Sequence, residues 1–445
     1  LGIALEQQAG DRFALKRSPM PEKTAPAAKP DAPSAVAPDE NAVRGVLKNK
    51  SITTFFQPMV CVTTKSIIGF EAFSRGGSAG NGVLDTGVLF HNGLSAELKL
   101  GVDELCREKS LLQYKPIYDR HKEMLFFLNV NPDILEHKGG RSEMIKHQVA
   151  SLDIAPSSVV IELPLGHAMS DRCAAFIKLH KEFGFKISLD NCGVDATCNQ
   201  TVSRIQPDFI KVNRSFFAKD ESRDYSLKAL EVVQEVAARS GVVVAAQGVE
   251  CEDDSLRLLS AGVHMQQGYY YTKDEAEKGG DPAKAFLQKI VASYDKFKKM
   301  RRELVRHRKE RFDAGFKVVS TFCSKLSGLS ESRFEEACKT LVRNQEAVIA
   351  VFVMNERGEQ LTGRVFRPMG DKARQEAVSR APAFRKGADH SVNDYVMYID
   401  MGYERFVTHS SISAITGEPS CLISQAFYNS EGLRYIVCIE LPHPG

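Results

Sequence analysis

Thr53-Thr-Phe-Phe-Gln-Pro-Met-Val-Cys61 and Ile67-Ile-Gly-Phe-Glu-Ala-Phe-Ser74 decide the fold. Both stretches have strand composition, and only five residues separate them. A parallel crossover needs roughly a dozen residues or more, so these two strands must pair antiparallel. Six further strands are predicted downstream: Phe126–Val130, Val159–Leu163, Lys186–Asn191, Asp208–Asn213, Val242–Gln247 and His264–Tyr269. Helical periods fill most of the gaps, as at Glu97–Tyr114, Ala168–Phe183 and Ser226–Ser240. Eight strands alternating with helices predict an α/β fold, a (β/α)8 barrel over residues 46–284 with one antiparallel strand.

Outward from the barrel the text changes. Residues 18–40 hold six Pro, six Ala and no aromatic residue, which reads as a disordered Pro/Ala-rich tail over 1–45. Residues 285–315 read as a connecting helix with an apolar stripe through Phe286, Ile290, Tyr294, Phe297, Met300 and Leu304. Lys296–Arg311 carries nine Lys or Arg and two Glu. No stacking aromatics interleave with that charge, so a solvated or dimer-forming helix is expected rather than a nucleic-acid site. Residues 316–445 are predicted to form a smaller α+β domain. It has a helix at Phe334–Asn344 and strands at Ala347–Met354, Tyr395–Asp400, Pro419–Tyr428 and Leu433–Leu441.

Composition narrows the rest. Of 445 residues, 43% are hydrophobic and 26% charged, an ordinary globular balance, and the net charge of +3 offers no bulk attraction for nucleic acid. The longest apolar run, Ala347–Met354, is far shorter than the roughly 18 residues of a membrane helix. The ten Cys lack any Cys-x-x-Cys pair, which fits reduced thiols in a cytoplasm.

A barrel places its chemistry where the strands end at their C-terminal face. Here the strand ends carry Glu71, Asn129, Glu162, Asp190 with Asn191, Lys211 with Asn213, Gln247 and Gln267. Carboxylates, amides and a Lys converging at one mouth suit a divalent cation and a phosphate.

These residues, with Phe56-Gln57-Pro58, Gly69-Phe70-Glu71-Ala72-Phe73-Ser74-Arg75, Pro207-Asp208-Phe209-Ile210-Lys211-Val212-Asn213 and Ala246-Gln247-Gly248-Val249-Glu250, occur in an order and spacing that resembles the bacterial EAL domain, the family that hydrolyses cyclic di-GMP. The resemblance covers about residues 50–275. It implies that Glu71, Asn129, Glu162 and Asp190 are the metal ligands, if any. It implies that Gln57, Glu71, Arg75, Asn129, Asp208, Lys211 and Gln267 contact ligand, with Arg75 on phosphate. Of the catalytic set only remnants match: Lys211, Glu250, and Gln247 in place of a Glu. Asn191 and Asn213 stand where the family has Asp, Leu165 where it has a second Glu, Phe73 where it has Leu, and Cys192-Gly193-Val194-Asp195 where it has Phe-Gly-Thr-Gly.

Amides for carboxylates remove anionic metal ligands, and Gln247 cannot accept a proton, a loss of about 10²–10⁴-fold by itself. The resemblance therefore implies a homodimeric, catalytically inactive receptor that binds cyclic di-GMP without metal. The alternatives are a non-binding scaffold, or a weak phosphodiesterase using Mg²⁺ or Mn²⁺ to give linear pGpG. The C-terminal domain loosely resembles PAS- or Cache-like sensor modules, on its strand pattern and Ser413-Ala-Ile-Thr-Gly-Glu-Pro419. His390, His409 and Cys421 are read there as structural.

Overall fold

The computed structural model describes residues 40–77, 83–91, 93–131, 143–192, 196–218, 224–272, 282–368 and 385–443. The chain divides into two compact units, Leu1–Lys298 and Lys299–Gly445.

Among the described residues of the first unit, eight strands close into a barrel: β1 (Ile52–Cys61), β2 (Ser66–Gly77), β3 (Leu125–Asn129), β4 (Val159–Pro164), β5 (Lys186–Asp190), β6 (Phe209–Val212), β7 (Val243–Gln247) and β8 (Met265–Gln267). The β1–β2 hairpin is antiparallel, as its short connection requires, and β1 is also antiparallel to β8. All other neighbours around the ring are parallel. Helices Ala96–Arg120, Asp171–Glu182 and Asp224–Arg239 cover connections between strands. Their apolar faces join the outward strand residues in one large core that includes Tyr114, Phe126, Ile161, Ile187 and Val244.

Several boundaries differ from the sequence reading. The proposed tail over 1–45 falls outside the described residues up to 39, but Glu40–Asn49 is a helix with Val43 and Val46 buried. Ala168–Phe183 is two helices, Leu165–Ala168 and Asp171–Glu182, because the Ser170 hydroxyl caps the second by accepting from Cys173 N. Tyr269 does not close the eighth strand but opens a helical turn, Tyr269–Thr272. At Gly268 an added Cβ would lie 2.1 Å from Val249 O, so the strand can turn there only without a side chain.

The basic helix expected over 285–315 runs from Pro282 to Ser327, 46 residues. Its last turns carry Val319, Phe322 and Leu326, fully buried in the second unit's core. The helix thus continues past its expected end at 315.

The second unit is built on an antiparallel sheet in the spatial order Val365–Phe366, Ala350–Asn355, Arg434–Pro442, Pro419–Tyr428, Arg405–Val407, with Ser411–Ile412 also on Pro419–Tyr428. Tyr395–Asp400 is not a strand. It belongs to the helix Asp394–Asp400, which buries Tyr395, Val396 and Ile399 on the sheet face bearing Phe352, Ile436 and Cys438. The run Tyr-Val-Met-Tyr-Ile has strand composition, but its burial follows the i, i+1, i+4 spacing of a helix, so tertiary packing overrides propensity.

Candidate ligand site at the barrel mouth

The period of two along each strand builds the site. Inward-facing pairs two residues apart place an apolar group below a polar one: Phe127 and Asn129, Val160 and Glu162, Phe209 and Lys211, Ala245 and Gln247, Met265 and Gln267. The lower members, with Met59, form a separate buried cluster inside the barrel. Phe127 and Phe209 meet edge-on at 5.4 Å there. Of the upper members, Glu162 contacts Lys211, Asn129 and Gln267 bond Glu71, and Gln247 bonds Asp190.

Lys211 is 1% exposed, and its ammonium lies 5.2 Å from the centre of the Phe127 ring. Its Nζ donates to Glu71 Oε2 at 2.7 Å and also contacts Glu162 Oε1. Gln267 Nε2 donates to the same Glu71 oxygen at 2.9 Å, and Asn129 Nδ2 donates to Glu71 Oε1 at 2.8 Å. Asp190 Oδ1 accepts from Gln247 Nε2 at 2.9 Å and from Asn191 N at 2.8 Å. Asn191 Nδ2 reaches Asp190 Oδ2 at 3.4 Å. Asn191 adopts φ 59°, a left-handed conformation that Asn tolerates better than most residues.

Burial sets the electrostatics. It works to raise the Glu71 carboxyl, but the Lys211 charge and the bonds from Lys211, Asn129 and Gln267 bring it below the ordinary range. Burial and then the Glu71 charge hold Glu162 well above that range despite its contact with Lys211. Burial also raises Asp190 against the pull of Lys211. Burial opposes the Lys211 charge, yet Glu162, Glu71 and Asp190 together raise its pKa. At neutral pH the cluster thus keeps an ionised Glu71 against a protonated Lys211.

The carboxylates of Glu71 and Asp190 are hydrogen-bonded within the protein. Both Glu71 oxygens and both Asp190 oxygens accept from protein N–H groups, and Asn129 presents its Nδ2, not its oxygen. Among the described residues no three His, Cys, Asp or Glu form a metal-holding group. Asn213 is spent elsewhere: its Oδ1 accepts from Ser215 N at 3.0 Å and caps the turn Arg214–Phe216.

Five of the expected residues, Glu71, Asn129, Glu162, Asp190 and Lys211, come together with Gln247 and Gln267. Gln57 stands opposite Glu71 in the β1–β2 register, on the same face. Arg75 sits four residues beyond Glu71 on β2, where its Nη1 donates to Thr86 Oγ1 at 2.7 Å and Ser74 O at 3.1 Å. Glu250 lies outside the cluster, exposed and paired with Arg214 Nη1 at 2.7 Å. Asp208 requires correction as a ligand contact. It precedes β6, at the opposite end from Lys211, and its Oδ2 accepts from Ile187 N at 2.8 Å. Gly193, Val194 and Asp195 of the altered loop lie outside the described residues.

The sequence reading missed Asp103. Its buried carboxylate pairs with Arg107 one helical turn on, and accepts from Asn131 N at 2.9 Å, two residues past Asn129. An acid and a base at i, i+4 on the buried face of a helix were the available signal.

The chain belongs to the EAL-domain family, whose model matches residues 40–274. The uncharacterized EAL-domain-containing protein YkuI of Bacillus subtilis is 20% identical over 333 residues, 72% of this chain and 78% of that one. The cyclic di-GMP phosphodiesterase RocR of Pseudomonas aeruginosa is 23% identical over 243 residues, 54% of this chain and 61% of RocR. The crystal structure of B. subtilis YkuI, in complex with c-di-GMP and calcium, superposes with a TM-score of 0.68 at 16% identity, over 90% of this chain and 97% of that one. That likeness establishes the shared fold.

Proposed function

We propose that the barrel is a receptor for cyclic di-GMP that binds its ligand without metal and hydrolyses it little or not at all. One observation carries this reading. The Asp190 carboxylate is closed by the amides of Gln247 and Asn191, at the positions where the family resemblance implies anions. A site lined by amides, with Arg75 and Lys211, repels a dianionic ligand less than a ring of carboxylates would. Membership of the family and the c-di-GMP held by YkuI support the choice of ligand.

Titration calorimetry with cyclic di-GMP, with and without EDTA, tests it. Equal affinity in both is expected, with negligible turnover in Mg²⁺ or Mn²⁺. Affinity that vanishes in EDTA would favour the metal-dependent phosphodiesterase instead, with Glu71, Asn129, Glu162 and Asp190 as ligands. The calcium in the YkuI complex supports that second reading.

The rest of the proposal concerns the assembly. Met300, Leu304 and Val305 are exposed on the long helix, which supports a homodimer. The antiparallel sheet with a helix packed on one face supports a PAS- or Cache-like reading of the second unit. The lack of any Cys-x-x-Cys pair among the ten Cys supports a reducing cytoplasm. Among the described residues no helix is long and apolar enough to cross a membrane.

A further inference from the structure

The β1–β2 hairpin continues past the level of Glu71 as an arm, edged at Gly76–Gly77 by the short strand Val83–Leu84. Its register pairs Gln57 with Glu71, Phe55 with Phe73 and Thr53 with Arg75. Side chains alternate along both strands, so these six share one face, the face that carries Glu71 into the mouth. The other face is spoken for. Phe56 meets Phe70 at 6.2 Å and Phe126 at 6.1 Å, Ile52 joins a small core with Val46, Leu89 and Leu98, and Thr54 and Ser74 are buried.

The Glu71 face of the arm is open, yet it carries two phenylalanines. Phe55 is 48% exposed and Phe73 is half-buried. Among the described residues neither ring makes a ring–ring contact, and neither belongs to a hydrophobic core. Two residues further out, Arg75 is anchored through Nη1 alone among the described residues, which leaves its Nε and Nη2 hydrogens for an acceptor. An aromatic face beside a half-engaged guanidinium matches a ligand that is flat and aromatic at one end and anionic at the other.

We infer that Phe55 and Phe73 are the stacking platform for a purine base of the bound cyclic dinucleotide, with Arg75 on the adjoining phosphate. The inference rests on the receptor reading above and assigns the residues that read the base. A single exposed Phe needs no explanation in general. What distinguishes Phe55 is its cross-strand partner Phe73, in register and on the same face as Glu71. Stacking on an aromatic side chain accepts any base, so this platform gives affinity for a purine and leaves the choice among purines to polar groups.

The test uses the full chain and cyclic di-GMP as probe, by titration calorimetry in EDTA together with the hypochromic change of the guanine absorbance on binding. Phe55→Ala should weaken binding by about 5- to 150-fold and reduce the hypochromic change. Phe55→Tyr should keep both, and Phe55→Leu should behave like Phe55→Ala, because Leu restores apolar area but has no π-face. Phe73→Leu should also weaken binding. If Phe55→Ala fails to fold, the Tyr and Leu variants decide. Parent-like affinity and hypochromism in Phe55→Leu would overturn the platform while leaving the receptor reading intact. A parent protein that binds no cyclic di-GMP would overturn both.

Discussion

Gln247 donates its Nε2 hydrogen to Asp190 Oδ1 across 2.9 Å. A Glu at this position would set a carboxylate against a carboxylate in a largely buried place, with no hydrogen to share at neutral pH. The amide therefore makes the mouth self-sufficient. Gln247→Glu should lower the melting temperature in EDTA, by roughly the 1–3 kcal/mol of a lost buried hydrogen bond. Mg²⁺ or Mn²⁺ should restore part of it, because the new anion gives a cation something to neutralise. The triple variant Asn191→Asp, Asn213→Asp, Gln247→Glu should show the larger metal-linked shift and weaker cyclic di-GMP binding in EDTA. Parent and triple variant with the same metal response and the same metal-free affinity would remove the electrostatic argument.

Arg75 stands apart from the buried cluster, held by Thr86 and its own strand. Arg75→Ala should leave stability nearly unchanged and weaken cyclic di-GMP binding by about 10- to 150-fold, the value of a charge-assisted bond of about 1.5–3 kcal/mol. Arg75→Lys should recover only part, since an ammonium cannot offer a planar bidentate edge. Calorimetry of both variants in EDTA checks this. An Ala variant with parent affinity would detach Arg75 from the ligand.

Lys211 behaves in the opposite way. It is the central cation between Glu71 and Glu162, fully buried above Phe127. Lys211→Met keeps the volume but leaves those carboxyls facing each other, so unfolding in urea should show a loss of about 3–5 kcal/mol. Adding Glu162→Gln to that variant should regain part of the loss. If Lys211→Met unfolds like the parent, the cluster does not hold the barrel mouth as argued.

The barrel was legible because its signal is local. Strand runs alternate with helical periods, and the short Cys61–Ile67 connection fixes the one antiparallel pairing. The polar upper layer was legible too, since Asn129 and Asp190 end strands, Glu162 and Lys211 lie within two residues of a strand end, Glu71 faces Gln57 across the hairpin, and period two carries them inward. Asp208 misled because it adjoins the same strand as Lys211 but at its other end, where its carboxylate supports the Ile187 amide. Asp103 was hidden because its partner Asn131 is 28 residues away in sequence. Helix Asp394–Asp400 was misread because its residues favour strands, and only the sheet it packs on selects the helix. The long helix was read as ending at 315, short of its end at Ser327, although Val319, Phe322 and Leu326 do lie in the second unit's core as their assignment to the later segment implied.

The second unit contains a buried histidine that should set its acid sensitivity. His390 Nδ1 lies 2.8 Å from Tyr395 Oη, and His390 Nε2 lies 3.0 Å from Gln360 Oε1. Gln360 Oε1 can only accept, so Nε2 carries the hydrogen and Nδ1 accepts from the tyrosine. Burial, only partly offset by the nearby Asp389 charge, lowers the His390 pKa below its ordinary value. A histidine whose folded pKa is lowered binds more protons in the unfolded state, so its contribution is fully present above the unfolded pKa of about 6.5 and declines as pH falls below it. Protonation would also turn Nδ1 into a donor facing the Tyr395 hydroxyl. Amide hydrogen exchange at Ala350–Asn355 and Arg434–Pro442 should therefore show protection free energies that fall as pH drops from about 7 to about 5, through and below the ordinary imidazole value. In His390→Gln that fall should be smaller, because the amide does not titrate. His180 in the barrel has a pKa lowered by burial in the same direction, so the barrel strands should keep their own acid slope in the variant. A His390→Gln protein whose C-terminal strands lose protection with the parent's slope would show that this histidine does not govern the unit's response to acid.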